Sequence, residues 1–184
     1  MTLYNSRANC TPRVSSKLTR CLPEVNRFAA VAKPYNLEQI KRDDVIGADD
    51  EQVRWFMLET KTHEIYFLTN SLGQPRICSF QPKGINIAPL TEWDAPTGKW
   101  SEEEALAETL RIVKLLGMRF TMSRYKVYAR ERPLKNAPGV KVTPLYDVGL
   151  YGADGRLGVN AIFYVGETGP GRLVLWGVSD PDDW

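Results

Sequence analysis

The hydrophobic positions of this chain follow two rhythms. From Trp100 to Gly117, in WSEEEALAETLRIVKLLG, they recur every three to four residues, with Leu106, Leu110, Val113 and Gly117 on one stripe and Ile112, Leu115 and Leu116 broadening it. That period predicts a helix with one face on a core. Ser101 followed three residues later by Glu104 predicts a capping box, in which each residue satisfies the other's backbone N–H. Glu102 and Glu103 sit in the first turn, where the helix dipole favours anions, and Arg111 and Lys114 lie toward the other end. Gly117 suits the left-handed residue that ends a helix. The four carboxylates Glu102, Glu103, Glu104 and Glu108 therefore read as a helix start and not as a site. A fainter helical rhythm joins Leu18, Cys21, Leu22, Val25, Phe28, Ala29 and Ala32. Pro23 interrupts it and suits a first helical position, so the helix is expected from there toward Lys33, with Pro34 as its stop.

The remaining apolar positions alternate with polar ones, the period of strands. Runs rich in aromatic and β-branched residues occupy 53–58, 64–69 and 76–80, with turns at Lys61-Thr62-His63 and Asn70 to Gly73 between them. DDVIGADDEQ, 43–52, reads as a charged loop, and the Pro- and Gly-rich stretch 85–98 as a connector. After the second helix, strands are expected at 120–130, 144–151, 157–165 and 172–178. Ala153-Asp154-Gly155 and Gly166 to Arg172 supply the hairpin joints. Leu157, Val159, Ala161, Phe163 and Val165 keep one face apolar, which predicts a central strand with that face on a helix. The fold class is α+β, in two tandem units, each a helix packed across an antiparallel β-sheet. The divisions are an N-terminal segment at 1–14, a first unit at 15–82, a connector at 83–98, a second unit at 99–179 and a frayed tail at 180–184.

Composition narrows the partners. The chain of 184 residues is long enough to bury a core without staples, and 43% hydrophobic with 25% charged residues is a globular balance. A formal net charge of +2 argues against nucleic acid or an anionic membrane as a global partner. No stretch approaches the ~18 consecutive apolar residues that cross a bilayer. The N-terminus, MTLYNSRANCTPRVSSKLTRC, lacks the apolar core of a secretory signal. The chain is therefore cytosolic, or a form from which a signal was removed or left out.

Candidate chemistry is sparse. His63 is the only histidine, which rules out a two-histidine metal pair, and its expected place in a turn makes it solvated; a Cys–His pair with Cys78 remains formally open. There is no Cys-x-x-Cys. Cys10 and Cys21 are the pair expected in an oxidising compartment, while Cys21 and Cys78 otherwise read as small buried hydrophobes. Asp43, Asp44, Asp49, Asp50 and Glu51 could cradle calcium, but the spacing is not that of an EF-hand and a solvated loop fits better. The glycines of GETGPGR, 166–172, lie between two strands, not before a helix, so no phosphate cradle is expected. Trp93, Trp100, Trp176 and Trp184 lie outside a clear core pattern and are candidate interface anchors, with Trp100 also placed to pack over the helix it precedes. The strongest non-structural feature is basic. Arg119, Arg124, Lys126, Arg130, Arg132, Lys135 and Lys141 crowd one segment, interleaved with Tyr125 and Tyr128. From it, Arg124, Lys126, Tyr128, Arg130, Arg132 and Lys135 are the candidate contacts to an anion or a partner. The competing reading is the solvent side of a strand whose cations discourage edge-to-edge aggregation.

The run LPEVNRFAAVAKPYNL (22–37), the Trp-containing strand pair at 54–70 and WSEEEALAETLRIVKLLGM together resemble a group of uncharacterised bacterial proteins similar to PepSY modules. In these a (T/S)-x-E-E-A-L helix packs across an antiparallel sheet. The resemblance implies two such units, export or a periplasmic location, and a role in binding or restraining an exported peptidase or surface component. It transfers no catalytic residue and no cofactor, because its motif is a helix cap. The function expected is a non-catalytic binding or inhibitory module. The alternatives are an enzyme whose carboxylates the fold assembles, such as Asp147 with Glu59 or Glu64, and polyanion binding through 119–141.

Overall fold

In the computed structural model of the chain, residues 16–35, 37, 39–49, 55–83, 100–130, 145–165, 170–180, 182 and 184 are described. Helix α1 (Ser16–Ala32) leads through a short 3-10 turn to β1 (Val45–Asp49), β2 (Trp55–Thr60), β3 (His63–Thr69) and β4 (Pro75–Pro82). Helix α2 (Glu102–Leu116) leads to β5 (Arg124–Arg130), β6 (Leu145–Tyr151), β7 (Leu157–Tyr164) and β8 (Arg172–Val178). The class is α+β, but the strands form one antiparallel sheet in the order β1-β2-β3-β4-β8-β7-β6-β5 and not a sheet for each helix. Strands β4 and β8 carry Ile77, Phe80, Leu173, Trp176 and Val178, too apolar to serve as sheet edges, and pairing them removes both edges at once.

That seam is short. Only Ser79 with Gly177 and Phe80 with Trp176 pair across it. Phe28 of α1 sits over the seam, 5.6 Å from the ring of Phe80 and 6.0 Å from that of Trp176, and all three are fully buried. Pro82, with no N–H to give to a ladder, ends β4. At that end of the seam Tyr35 donates its N–H to the Leu173 carbonyl at 2.7 Å, and its ring meets Tyr164 edge-on at 5.3 Å.

Both helices share one core with the inward residues of all four central strands. They are also tied directly. Arg27 pairs with Glu24 on α1 and donates to the Leu116 carbonyl of α2 at 3.1 Å. Arg111 pairs with Glu108 on α2 and donates to the Val31 carbonyl of α1 at 2.8 Å. Each guanidinium thus serves carbonyls in the last turn of the other helix, where the dipole favours a cation.

Helix α2 starts with the expected box: Glu104 N–H donates to Ser101 Oγ at 3.2 Å and Ser101 N–H to Glu104 Oε2 at 2.6 Å. It ends on Gly117 at φ 75°. Its buried face is rotated from the expected stripe, however. Ala105, Thr109, Ile112, Val113 and Leu116 are buried, whereas Leu110 and Leu115 are exposed. Thr109 can be buried because its hydroxyl donates back to the Ala105 carbonyl at 2.9 Å. Helix α1 begins at Ser16, not at Pro23. Pro23 lies inside it, on the exposed side.

Other expectations change too. Strand β1 lies within the supposed charged loop. Trp176 is a core residue, and Trp100 is buried against Tyr146, Phe163 and Gly171. The tail is docked: Asp182 accepts from Ser71 N–H at 2.7 Å, and Arg76 lies over the Trp184 ring. Trp93 and Cys10 lie outside the described residues, so the Cys10–Cys21 expectation does too; Cys21 is buried in the core.

Alanine at Arg27 or at Arg111 is expected to lower the unfolding free energy by about 1–2 kcal/mol in a urea titration, through the lost inter-helix bond. Gly171→Ala should cost about 1–3 kcal/mol by overpacking, since a Cβ there falls 2.3 Å from the Trp100 ring. Gly177→Ala meets only ordinary contacts and should change stability by about 0.5 kcal/mol or less.

Candidate functional site

Strand β5 is a sheet edge. It pairs along its whole length with β6, and no described strand lies on its other side. Alternation splits its residues. Val127 and Ala129 pair with Val148 and Tyr146, whose side chains join the core beneath the helices. Arg124, Lys126 and Tyr128 occupy the opposite parity and so share the face turned away from the helices. Three of the six expected contact residues thus fall in one row, and Arg130 ends the strand by pairing with Leu145. Arg132 and Lys135 lie outside the described residues, as does Lys141.

The row is anchored at its start by local chemistry. Ser123 donates its N–H to the Tyr151 carbonyl at 2.9 Å and its hydroxyl to the Gly152 carbonyl at 2.6 Å. The β6–β7 turn closes by Gly152 N–H on the Arg156 carbonyl, and Gly155 takes φ 78°, as its expected turn position requires. That turn presents the Gly155 carbonyl to Arg124 Nη2 at 3.2 Å, and the guanidinium lies 4.8 Å from the centre of the Tyr151 ring. Lys126 Nζ lies 6.0 Å from the same ring. Both are exposed, and neither has a carboxylate within salt-bridge distance among the described residues. Tyr125, on the other parity, is 53% exposed. The strand can therefore offer main-chain bonds, cations and a phenol to an incoming chain.

The other candidates separate. Asp147 accepts from Asn160 Nδ2 at 2.6 Å on the outer face of β6 and is nearly buried. Glu64 lies on β3, four strands away, and Glu59 on β2, five away. At about 4.8 Å per strand the nearer gap is roughly 19 Å, too far for two carboxylates to act on one bond. Glu59 instead pairs with Lys83, and Glu64 accepts from the Tyr66 hydroxyl at 2.9 Å. Cys78 is the extra residue of a β-bulge opposite Tyr66 and Phe67, and burial pushes its thiol up to about 11. Thiolate is scarce at neutral pH, which removes the nucleophile from the Cys–His alternative. In the acidic segment Asp44 accepts from Lys41 N–H at 2.7 Å; Asp50 and Glu51 are outside the described residues. Among the described residues no three His, Cys, Asp or Glu side chains gather closely enough to hold a metal. No described helix is long and apolar enough to cross a membrane.

His63 is the residue that sequence reasoning misplaced. It is the first residue of β3 and fully buried, with its ring stacked 4.8 Å from that of Phe80. Nδ1 lies 2.7 Å from Thr62 Oγ1 and Nε2 lies 3.2 Å from the Tyr35 carbonyl. The turn takes only Lys61 and Thr62, so residue 63 inherits the inward parity of Ile65 and Phe67. The in-phase apolar positions 65 and 67 carried that signal.

No family model matches this chain, and no curated protein or solved structure matches it.

Burial holds the His63 imidazole below its ordinary 6.5, outweighing the opposing effect of the Tyr35 carbonyl. The unfolded chain therefore takes up that proton at higher pH than the folded one. The stability linked to His63 is therefore fully present above pH 6.5 and is lost as pH drops below it. Urea titrations at a series of pH values should show this fall, and His63→Gln should remove that part of it whatever its effect at neutral pH.

Proposed function

We propose that this chain is a non-catalytic binding module, made of two PepSY-like units, that holds an acidic segment of a partner protein against β5. The observation that carries the reading is the row of Arg124, Lys126 and Tyr128 on an edge strand, with its two exposed cations unpaired by any described carboxylate. A partner strand added to β5 gains main-chain bonds from the ladder, and acidic side chains at alternate positions meet the cations. Pairing β5 with the β5 of a second copy is disfavoured. An antiparallel arrangement centred on Val127 sets Arg124 opposite Arg130, and like charges placed so repel.

The two-unit reading is supported by repeated local features. Glu24 and Arg27 on α1 match Glu108 and Arg111 on α2 in spacing, in pairing and in reaching the other helix. Arg76-Ile77-Cys78-Ser79-Phe80 on β4 matches Arg172-Leu173-Val174-Leu175-Trp176 on β8, and each run bulges at its third residue. An exported peptidase or surface protein is the partner class that the PepSY resemblance suggests.

The test is affinity capture from an exported protein fraction, followed by titration of the purified captured partner. The wild type should retain an acidic protein whose affinity falls as salt rises, and the Arg124→Glu/Lys126→Glu variant should bind it about tenfold or more weakly. Equal affinity of the two chains would sink the proposal.

A further inference from the structure

A cleft of about 710 Å³ opens where the end of α1 meets the first half of α2, away from β5. Its size is that of a small-molecule site, roughly 300–1,000 Å³. Ala32, Ala107, Trp100 and Pro170 give it apolar walls. Trp100 is fixed in advance. Its ring lies against Gly171, in contact so close that no Cβ could stand there, and it meets Tyr146 and Phe163 edge-on. The Tyr146 hydroxyl also donates to the Trp100 carbonyl at 2.5 Å.

Five charged side chains line the cleft, and three are already committed. Glu104 closes the capping box, while Glu108 and Arg111 hold one another at 2.6 Å. Lys33 and Arg172 are the exceptions: both are exposed, and neither side chain makes a hydrogen bond or ion pair. Lys33 carries a second mark. It ends α1 at φ 44°, a left-handed conformation that costs a non-glycine residue about 1 kcal/mol, whereas α2 ends on glycine at the corresponding place. The backbone there thus carries a cost that a glycine would not, and it sets the lysine side chain on the wall of the cleft.

We propose that this cleft binds a small organic monoanion, a carboxylate on an apolar body, with Lys33 and Arg172 receiving the carboxylate. Three cations against two carboxylates leave one net positive charge, which suits a single negative charge; a phosphate dianion would meet Glu104 and Glu108. The apolar body lies along Trp100, Ala32 and Ala107.

The test uses the full chain, labelled with nitrogen-15, titrated with 3-phenylpropionate while amide and indole shifts are followed. Shifts are expected at residues 32–33, 104–111 and 171–172 and at the Trp100 indole, saturating with a Kd of about 1 mM, as suits so small a probe. 3-Phenylpropanol, which has the body without the charge, and inorganic phosphate should each bind at least about fivefold more weakly. Lys33→Gly is expected to weaken binding about fivefold while raising Tm by about 2 °C or more, because strain is relieved. Arg172→Ala should weaken binding similarly. Absence of saturable shifts in the cleft, or equal binding of the alcohol, would overturn the proposal. So would a Lys33→Gly variant that binds as the wild type does, which would leave Lys33 as a cation serving the end of α1. None of these outcomes depends on the β5 reading.

Discussion

The structure depends on a seam that its hydrogen bonds alone could not hold. Two residue pairs join β4 to β8, against five to seven along the neighbouring central ladders. The join is made by burial. Phe28 presses on Phe80 and Trp176 from above, and the two arginines cross between the helices, so that separating the halves would expose three large aromatic rings together. Each ring buries on the order of 150–250 Å², enough to outweigh several marginal main-chain bonds. The same constraint explains why one core spans both helices and why the sheet continues unbroken between its two ends.

How much of this was legible in the sequence follows from how local each determinant is. Helix α2 was readable to its caps because Ser101, Glu104 and Gly117 act within one turn of themselves. The strands after it were readable because alternation and turn residues agree along them. What escaped depends on distant partners. Strand β1 is five residues beside aspartates and is a strand only because β2 pairs with it. The sequence stripe on α2 favoured Leu110, yet the tertiary neighbours select Thr109 and Ala105, whose small side chains let the helix lie close. Trp176 and the tail needed partners more than ninety positions away along the chain, Phe28 in one case and Ser71 in the other.

The candidate site divides in the same way. The alternation of Arg124, Lys126, Tyr128 and Arg130 was visible as a pattern, but its meaning required knowing that β5 is an edge, which only the strand order supplies. Lys33 had no sequence signal beyond preceding a proline. Its left-handed backbone and its place on the cleft emerge only when α1 and α2 are set side by side. His63 shows the reverse error, where a turn-like dipeptide hid a residue already in strand register.

The unbroken sheet gives the molecule an electrical direction that its net charge conceals. Eight strands at about 4.8 Å spacing set the two edges roughly 34 Å apart. Arg124 and Lys126, unpaired by any described carboxylate, stand at the β5 edge, whereas near the other edge Lys41, Arg42, Lys61 and Lys83 offset Asp43, Asp44 and Glu59. A chain of only +2 thus gathers unpaired positive charge at one edge of its sheet. An anionic body near the molecule would be drawn toward that edge, so that orientation would begin before any contact is made.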